Sequence, residues 1–258
     1  MTLHLRQIAF VAEKLQPVLD DLRGVLGLEV CFVDPEVDVF GLENSLVPIG
    51  TNFIEVVAPV KEGTAGGRYL ERRQGDGGYM VITQADGEDD QRAHRDRATA
   101  LGIRIAWERD HGSGRFMQLH PADTGGAFFE IDFTTANSPT GDWPPAGGSG
   151  WDKYVRTDIV SAITAAEIQS NEPLMLAERW AAIAGQELQR DDQGRTVLPL
   201  NNASIRFVEE SDGRGDGLGG IDVKVEDKAA LLAAAEARGV MVDETQVLIG
   251  GVRINLVL

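Results

Sequence analysis

LRQIAFVAEKLQPVLDDLRGVLGLEV, residues 5–30, is the stretch on which the reading of the fold turns. Residues 3–11 are apolar enough for a buried strand, and residues 15–26 carry apolar side chains at helical spacing, with Pro17 in the first turn and Gly27 as the stop. Three short strands follow and end at Val60, which makes the unit βαβββ. The same order returns in residues 79–84 (strand), 88–101 (helix, stopped by Gly102), 103–108, 115–119 and 127–133 (strands). In the second half the pattern is fainter: 158–166 extended, 173–184 helical with Gly185 after it, then 187–190, 196–200 and 203–208. A fourth unit closes the chain with a strand at 221–225, a helix at 228–238 stopped by Gly239, and strands at 240–242 and 252–257. Even the helix exits agree, since PVLDDLRGVLGLEV (17–30) and PLMLAERWAAIAGQEL (173–188) both open on proline and stop at a glycine before an acidic-plus-apolar pair. Between the halves lies SPTGDWPPAGGSG, residues 138–150, rich in proline, glycine and small polar residues with little to pack. The expected fold is α+β: four tandem βαβββ modules, paired into two curved half-barrel sheets. Residues 1–137 then form a first domain with the cleft, 138–150 a linker, and 151–258 a second, degenerate domain.

At 258 residues and 43% hydrophobic content, one large core or two compact ones can be filled. A net charge of -17 repels phosphate backbones and anionic lipid, so the expected partner is a small molecule rather than nucleic acid or membrane, with room for a homodimer. Cys31 is alone, which excludes an internal disulfide. The N-terminus lacks the charged-then-apolar order of a secretory signal, and no apolar run approaches the roughly 18 residues of a membrane span, so a cytoplasmic chain is expected.

Two carboxylates interrupt apolar strands: Glu55 in TNFIEVVAPV and Glu130 in AFFEIDF. Strand alternation puts Phe53, Glu55 and Val57 on one face, and Phe129, Ile131 and Phe133 on the face opposite Glu130. An ionised carboxylate in such surroundings needs a cation or donors beside it, which points to a polar site within the β-framework; the alternative is a pair of edge-strand carboxylates facing water. Residues 66–78 read as a glycine-rich loop that can fold over a cleft, with Arg68, Tyr69, Arg72 and Arg73 to attract an anionic group or to pair with Glu71 and Asp76. His120, before the turn Pro121–Gly126, is either a proton shuttle at the cleft mouth or, more simply, an anchor of that turn. His94, in EDDQRAHRDRA, reads as part of a solvated helix face. Trp107, Trp143, Trp151 and Trp180 are scattered, as core or linker-anchoring residues are.

On LRQIAFVA with its following helix and VLGLEV, on NFIEVVAP, on GGRYLERRQGDGGYMVI and on QLHPADTGGAFFEID, the first half resembles the vicinal oxygen chelate superfamily. That group includes glyoxalase I, methylmalonyl-CoA epimerase, bleomycin-resistance proteins and extradiol dioxygenases; the second half resembles it through element order alone. The resemblance implies a divalent metal held by one residue from the first and one from the last strand of each paired unit, here Gln7, Glu55, Tyr79 and Glu130. Glyoxalase-like members can carry glutamine, glutamate, histidine and glutamate there. Tyr79 is the departure, because a neutral phenol of pKa about 10 is a poor ligand for zinc or nickel. Two arrangements stay open: Gln7, Glu55 and Glu130 around one hard divalent cation, or no metal, with Tyr79 and Gln7 hydrogen-bonding a carboxyl pair that shares a proton. The same matching in the second half gives Ser161, Arg206, Ile221 and Asn255, a set without an anionic donor, so that half is expected to be a structural mate or lid.

The activity implied is that of a lyase or isomerase moving a proton next to the carbonyl of a hydroxy-ketone, thiohemiacetal or acyl thioester. Glu55 and Glu130 would act as base and polariser and Tyr79 as donor, with Arg68, Tyr69, Arg72, Phe53, Phe128 and His120 on the substrate. The other reading is a metal-free protein that sequesters a small aromatic or cationic compound against Phe53, Phe128 and Tyr79.

Overall fold

The computed structural model describes residues 3–258. Its first half runs β1 (His4–Val11), α1 (Leu15–Leu26), β2 (Leu42–Ile49), β3 (Asn52–Pro59), α2 (Ala65–Arg73), β4 (Gly77–Gln84), α3 (Glu88–Ala100), β5 (Ile105–His111), β6 (Gly114–Leu119) and β7 (Phe128–Thr134). The second half continues with β8 (Val160–Ser170), α4 (Pro173–Ala184), β9 (Gln189–Arg190), β10 (Thr196–Pro199) and β11 (Ser204–Glu209). It closes with β12 (Gly217–Val225), α5 (Lys228–Arg238), β13 (Met241–Asp243), β14 (Gln246–Ile249) and β15 (Val252–Val257).

The strands form two mixed sheets, ordered β2-β3-β1-β4-β7-β6-β5 and β13-β14-β15-β12-β8-β11-β10-β9. Wherever the register is resolved, a module's first strand lies parallel to its last: β4 with β7, β8 with β11, β12 with β15. The intervening strands pair antiparallel, and in the first module a bridge between Phe32 and Leu46 stands for the missing short strand. This is the α+β fold of four βαβββ modules expected from the sequence. Gly27 stops α1 as a left-handed residue, φ 70°, returning its N–H to Arg23 and Leu22 carbonyls.

Residues 66–78, expected as a loop, are half helix. The Thr64 hydroxyl accepts from the Gly67 N–H at 2.9 Å and starts α2, while Gln74 in the left-handed region ends it. Glycine composition misleads here because Gly66 is a contact residue: a Cβ on it would stand 3.1 Å from Leu42 Cδ2.

The chain divides into two compact units. One holds the residues up to Gln7, with Tyr79–Gly141 and Ala165–Leu218; the other holds Ile8–Gly78, Asp142–Thr164 and Gly219–Leu258. In the first, Trp180 of α4 is fully buried, stacks on Phe129 at 4.3 Å between ring centroids, and donates its indole N–H to the Thr124 carbonyl at 2.9 Å. In the second, Arg238 of α5 pairs with Asp21 of α1 at 2.7 Å, and its side chain lies over Gly24. The second unit also contains most of the proline- and glycine-rich connection, which packs rather than dangles. Trp143, Ala146 and Trp151 are buried, Trp143 and Gly148 form a bridge, and Gly147, φ 80°, turns so close to Phe32 that a Cβ would lie 2.7 Å from its ring. The tryptophans outweigh the glycines, since each supplies the apolar area of a core residue.

Candidate functional site

Alternation along β7 separates two chemistries. Phe129 and Ile131 face the helices, Phe129 against Trp180, and the Ile131 carbonyl takes the Gln91 amide of α3. Glu130 and Asp132 therefore face the other way, and the strand registers show what stands beside them. Ile82 of β4 lies opposite Glu130, Gln118 of β6 lies on its other side, and Trp107 of β5 lies beside Gln118. One rung across four strands thus reads Ile82, Glu130, Gln118, Trp107. The adjoining rung carries Gln84 against Asp132, and Phe116 against Arg109. Phe116 shares Gln118's face two residues away, and Phe128 shares Glu130's. Trp107, Phe116, Gln118 and Phe128 are half-buried, whereas Glu130 is 5% and Asp132 0% exposed.

Asp132 holds its proton well above the usual carboxylate range. Burial is the main cause, followed by the charge of Glu130 and a hydrogen bond with it, and only the Met117 N–H, 3.3 Å from Oδ1, pulls the other way. Asp132 is thus the carboxyl that keeps its proton beside the Glu130 charge. Gln84 next to Asp132 is fixed in turn: its Oε1 accepts from Arg6 Nη1 at 3.1 Å and its Nε2 donates to Thr134 at 3.4 Å. Arg6 also donates to the carbonyls of Ser138 and Gly141, at 2.7 and 2.9 Å, and burial lowers its pKa to about 10.

The other residues expected at the site make contacts of their own. Tyr79, one residue before the resolved register of β4, meets the Phe128 ring edge-on at 5.0 Å. Gln7 is buried on β1. Glu55 lies in the second unit, 8% exposed, accepting from Asn44 Nδ2 at 2.5 Å. Phe53, on the same face of β3, is fully buried and meets Trp151 edge-on at 5.0 Å. Arg68 donates to the Gly63 carbonyl at 2.6 Å, Arg72 lies 5.1 Å over the Tyr69 ring, and the Tyr69 hydroxyl donates to the Gly78 carbonyl. His120 anchors its turn, taking the Ala122 N–H on Nδ1 at 3.2 Å and the Asp123 N–H on its carbonyl at 2.9 Å.

Two expectations need correcting. His94 is fully buried, not solvated: Arg97 Nη2 lies 2.7 Å from its Nδ1, and both residues reach the Ile183 carbonyl at the end of α4. The second half also has anionic donors. Asn255 pairs with Asp222, one residue past Ile221, and donates to it at 2.8 Å, while Arg206 lies beside Glu167 in a buried 2.6 Å ion pair. A slip of one residue on a period-two strand moves every choice to the wrong face.

The neighbours of Glu130 on the rung are a hydrocarbon and an amide. Among the described residues no group of three or more His, Cys, Asp or Glu side chains is placed to hold a metal ion. Sequence reading missed Asp132, Gln118, Phe116 and Trp107. Alternation in RFMQL and FFEID gives their faces, but the pairing of Gln118 with Glu130 depends on a hairpin register that the letters do not carry.

No family model and no curated protein matches the chain. Solved structures do. A Mn(II)-bound glyoxalase from Novosphingobium aromaticivorans aligns with TM-score 0.67 and 12% identity, covering 99% of this chain and 81% of its own. A mutant 4-hydroxymandelate synthase from Streptomyces coelicolor gives 0.66 and 16%, with 93% and 76% covered. A hypothetical protein from Staphylococcus aureus gives 0.63 and 14%, over 100% and 99% of the two chains. The fold is that of the vicinal oxygen chelate superfamily.

Proposed function

We propose that the chain is a metal-independent lyase or isomerase that moves a proton on the carbon next to a carbonyl of a small molecule bound against the Glu130 face of β4, β7, β6 and β5. The supporting observation is the carboxyl pair of Glu130 and Asp132 in a buried stretch of strand. A buried pair takes up its first proton at a higher pH than a lone exposed carboxylate does and keeps its other carboxylate ionised, so near neutrality that carboxylate can take a proton from carbon and return it afterwards. Glu130 reaches the substrate and Asp132, deeper, keeps its proton. Gln84, clamped by Arg6, keeps that end of the site from relaxing.

The test is proton exchange from D2O into hydroxy-ketones and acyl thioesters, followed by NMR. Glu130→Gln is expected to slow exchange at least about 100-fold, while EDTA leaves it unchanged and metal analysis of protein purified without chelator finds no stoichiometric divalent ion. Exchange indifferent to Glu130→Gln would end this reading. A second reading has its own observation: three half-buried rings, Trp107, Phe116 and Phe128, surround one acidic pair, as a sequestering site for a flat cationic compound would need. Calorimetric binding of such a compound, weakened by Glu130→Gln and without exchange in any ketone, would favour it.

A further inference from the structure

Resting on the reading of Glu130 as the base, we infer that Gln118 is a catalytic residue that polarises the substrate's carbonyl oxygen, and that the substrate is a carbonyl compound with a flat, unsaturated arm and no phosphate. Gln118 is the cross-strand neighbour of Glu130. Such neighbours have Cβ atoms about 4.5–5.5 Å apart with side chains leaving the same face. A substrate carbon within the roughly 2.6–3.2 Å reach of the base therefore carries its carbonyl oxygen, two bonds away, into the roughly 2.7–3.1 Å shell of the amide N–H.

The other neighbours that the strand registers give Glu130 and Asp132 do not supply that hydrogen bond. Ile82 has no donor. Asp132 is engaged with Glu130, and Gln84 with Arg6 and Thr134. The Gln118 amide is half-exposed, and among the described residues it has no protein partner. Its neutrality matters too, because a cation in that place would lower the proton affinity of the base beside it. In the step, the Glu130 carboxylate takes the α-proton and the C–H electron pair becomes the C=C bond. The carbonyl π pair moves onto oxygen, where the Gln118 N–H receives it, and reprotonation at carbon reverses the sequence.

Beyond the oxygen, the rung continues into Trp107, and Phe116 stands two residues from Gln118 on its own strand. An arm attached to the carbonyl lies over these rings, which favours an aryl or similarly flat group. No arginine or lysine stands on the rung itself; Arg109, exposed, lies at the outer end of the next. A phosphorylated arm finds no fixed cation beside the reacting carbon.

The experiment follows deuterium exchange into 2-hydroxyacetophenone, hydroxyacetone and dihydroxyacetone phosphate with the full chain and three variants. Gln118→Leu is expected to lower kcat about 100-fold or more for 2-hydroxyacetophenone, with KM within about 3-fold and Tm unchanged; Gln118→Asn restores part of the rate. Trp107→Ala is expected to raise KM for 2-hydroxyacetophenone about 10-fold and to leave hydroxyacetone alone, a loss of the size expected for one ring contact. Exchange that needs Glu130 but ignores Gln118→Leu overturns the role of Gln118 and leaves the base assignment standing. Preference for dihydroxyacetone phosphate overturns the substrate class. Exchange that ignores Glu130→Gln removes both readings at once.

Discussion

Asp132 is a carboxylic acid where a strand would ordinarily bury a valine, and its thermodynamic signature follows from that. Its proton affinity is higher in the fold than in the unfolded chain. The folded state therefore binds more protons between the two pKa values, and stability is full below the unfolded carboxylate pKa and is lost as pH rises. Asp132→Asn keeps the shape and removes the titration, so its Tm relative to the parent is expected to climb from pH 4 to pH 8; a flat difference in a pH series of thermal melts would contradict the retained proton. Glu130 was legible because a charged letter stood among apolar ones, whereas Asp132 two positions later looked like the polar end of the same strand. His94 shows the opposite failure. Its charged neighbours on α3 suggest water, yet one of them, Arg97, turns inward and donates to Nδ1. The other ring nitrogen, Nε2, lies 3.6 Å from Asp90.

At the scale of elements, most of the architecture could be read because helices and strands announce themselves by period, and because proline and glycine mark where helices begin and end. What the period does not carry is phase. Ile221 is one residue away from Asp222, the partner of Asn255, and only the ladder distinguishes them. α2 was hidden by composition, and its existence depends on a cap: Thr64→Ala is expected to cost about 1 kcal/mol in urea unfolding, and Thr64→Ser to restore most of it. The ion pair between Glu167 and Arg206, with side chains 11% and 3% exposed, gives a sharper test. Removing either partner alone is expected to destabilise by about 3–5 kcal/mol, because the survivor is stranded without its counter-charge, while replacing both with apolar residues of similar volume regains most of that loss. Equal losses for single and double replacements in chemical denaturation would argue against the pair being isolated from water.

For the molecule as a whole, sequence halves and compact units are different divisions. Each half supplies one sheet, yet each unit draws on segments from both halves. Within the first unit, Phe129 from one half is covered by Trp180 from the other. A fragment ending at residue 141 is thus expected to lack a cooperative unfolding transition and to bind a dye specific for exposed apolar surface; a sharp thermal transition from that fragment would show that the first sheet needs no such cover. Tryptophan weighs most at this scale. Trp180→Ala removes both a stacked ring and a hydrogen bond, and about 3–5 kcal/mol of stability is expected to go with them.

The interleaving also sets a timetable for synthesis. The first unit lacks its last segment until Leu218 has left the ribosome, and the second waits for Leu258. Through translation of the intervening residues the nascent chain carries Phe129 and its neighbours bare to water or to whatever chaperone meets them, so slowing elongation past Trp180 should cost yield, and speeding it should raise the fraction that reaches the native state.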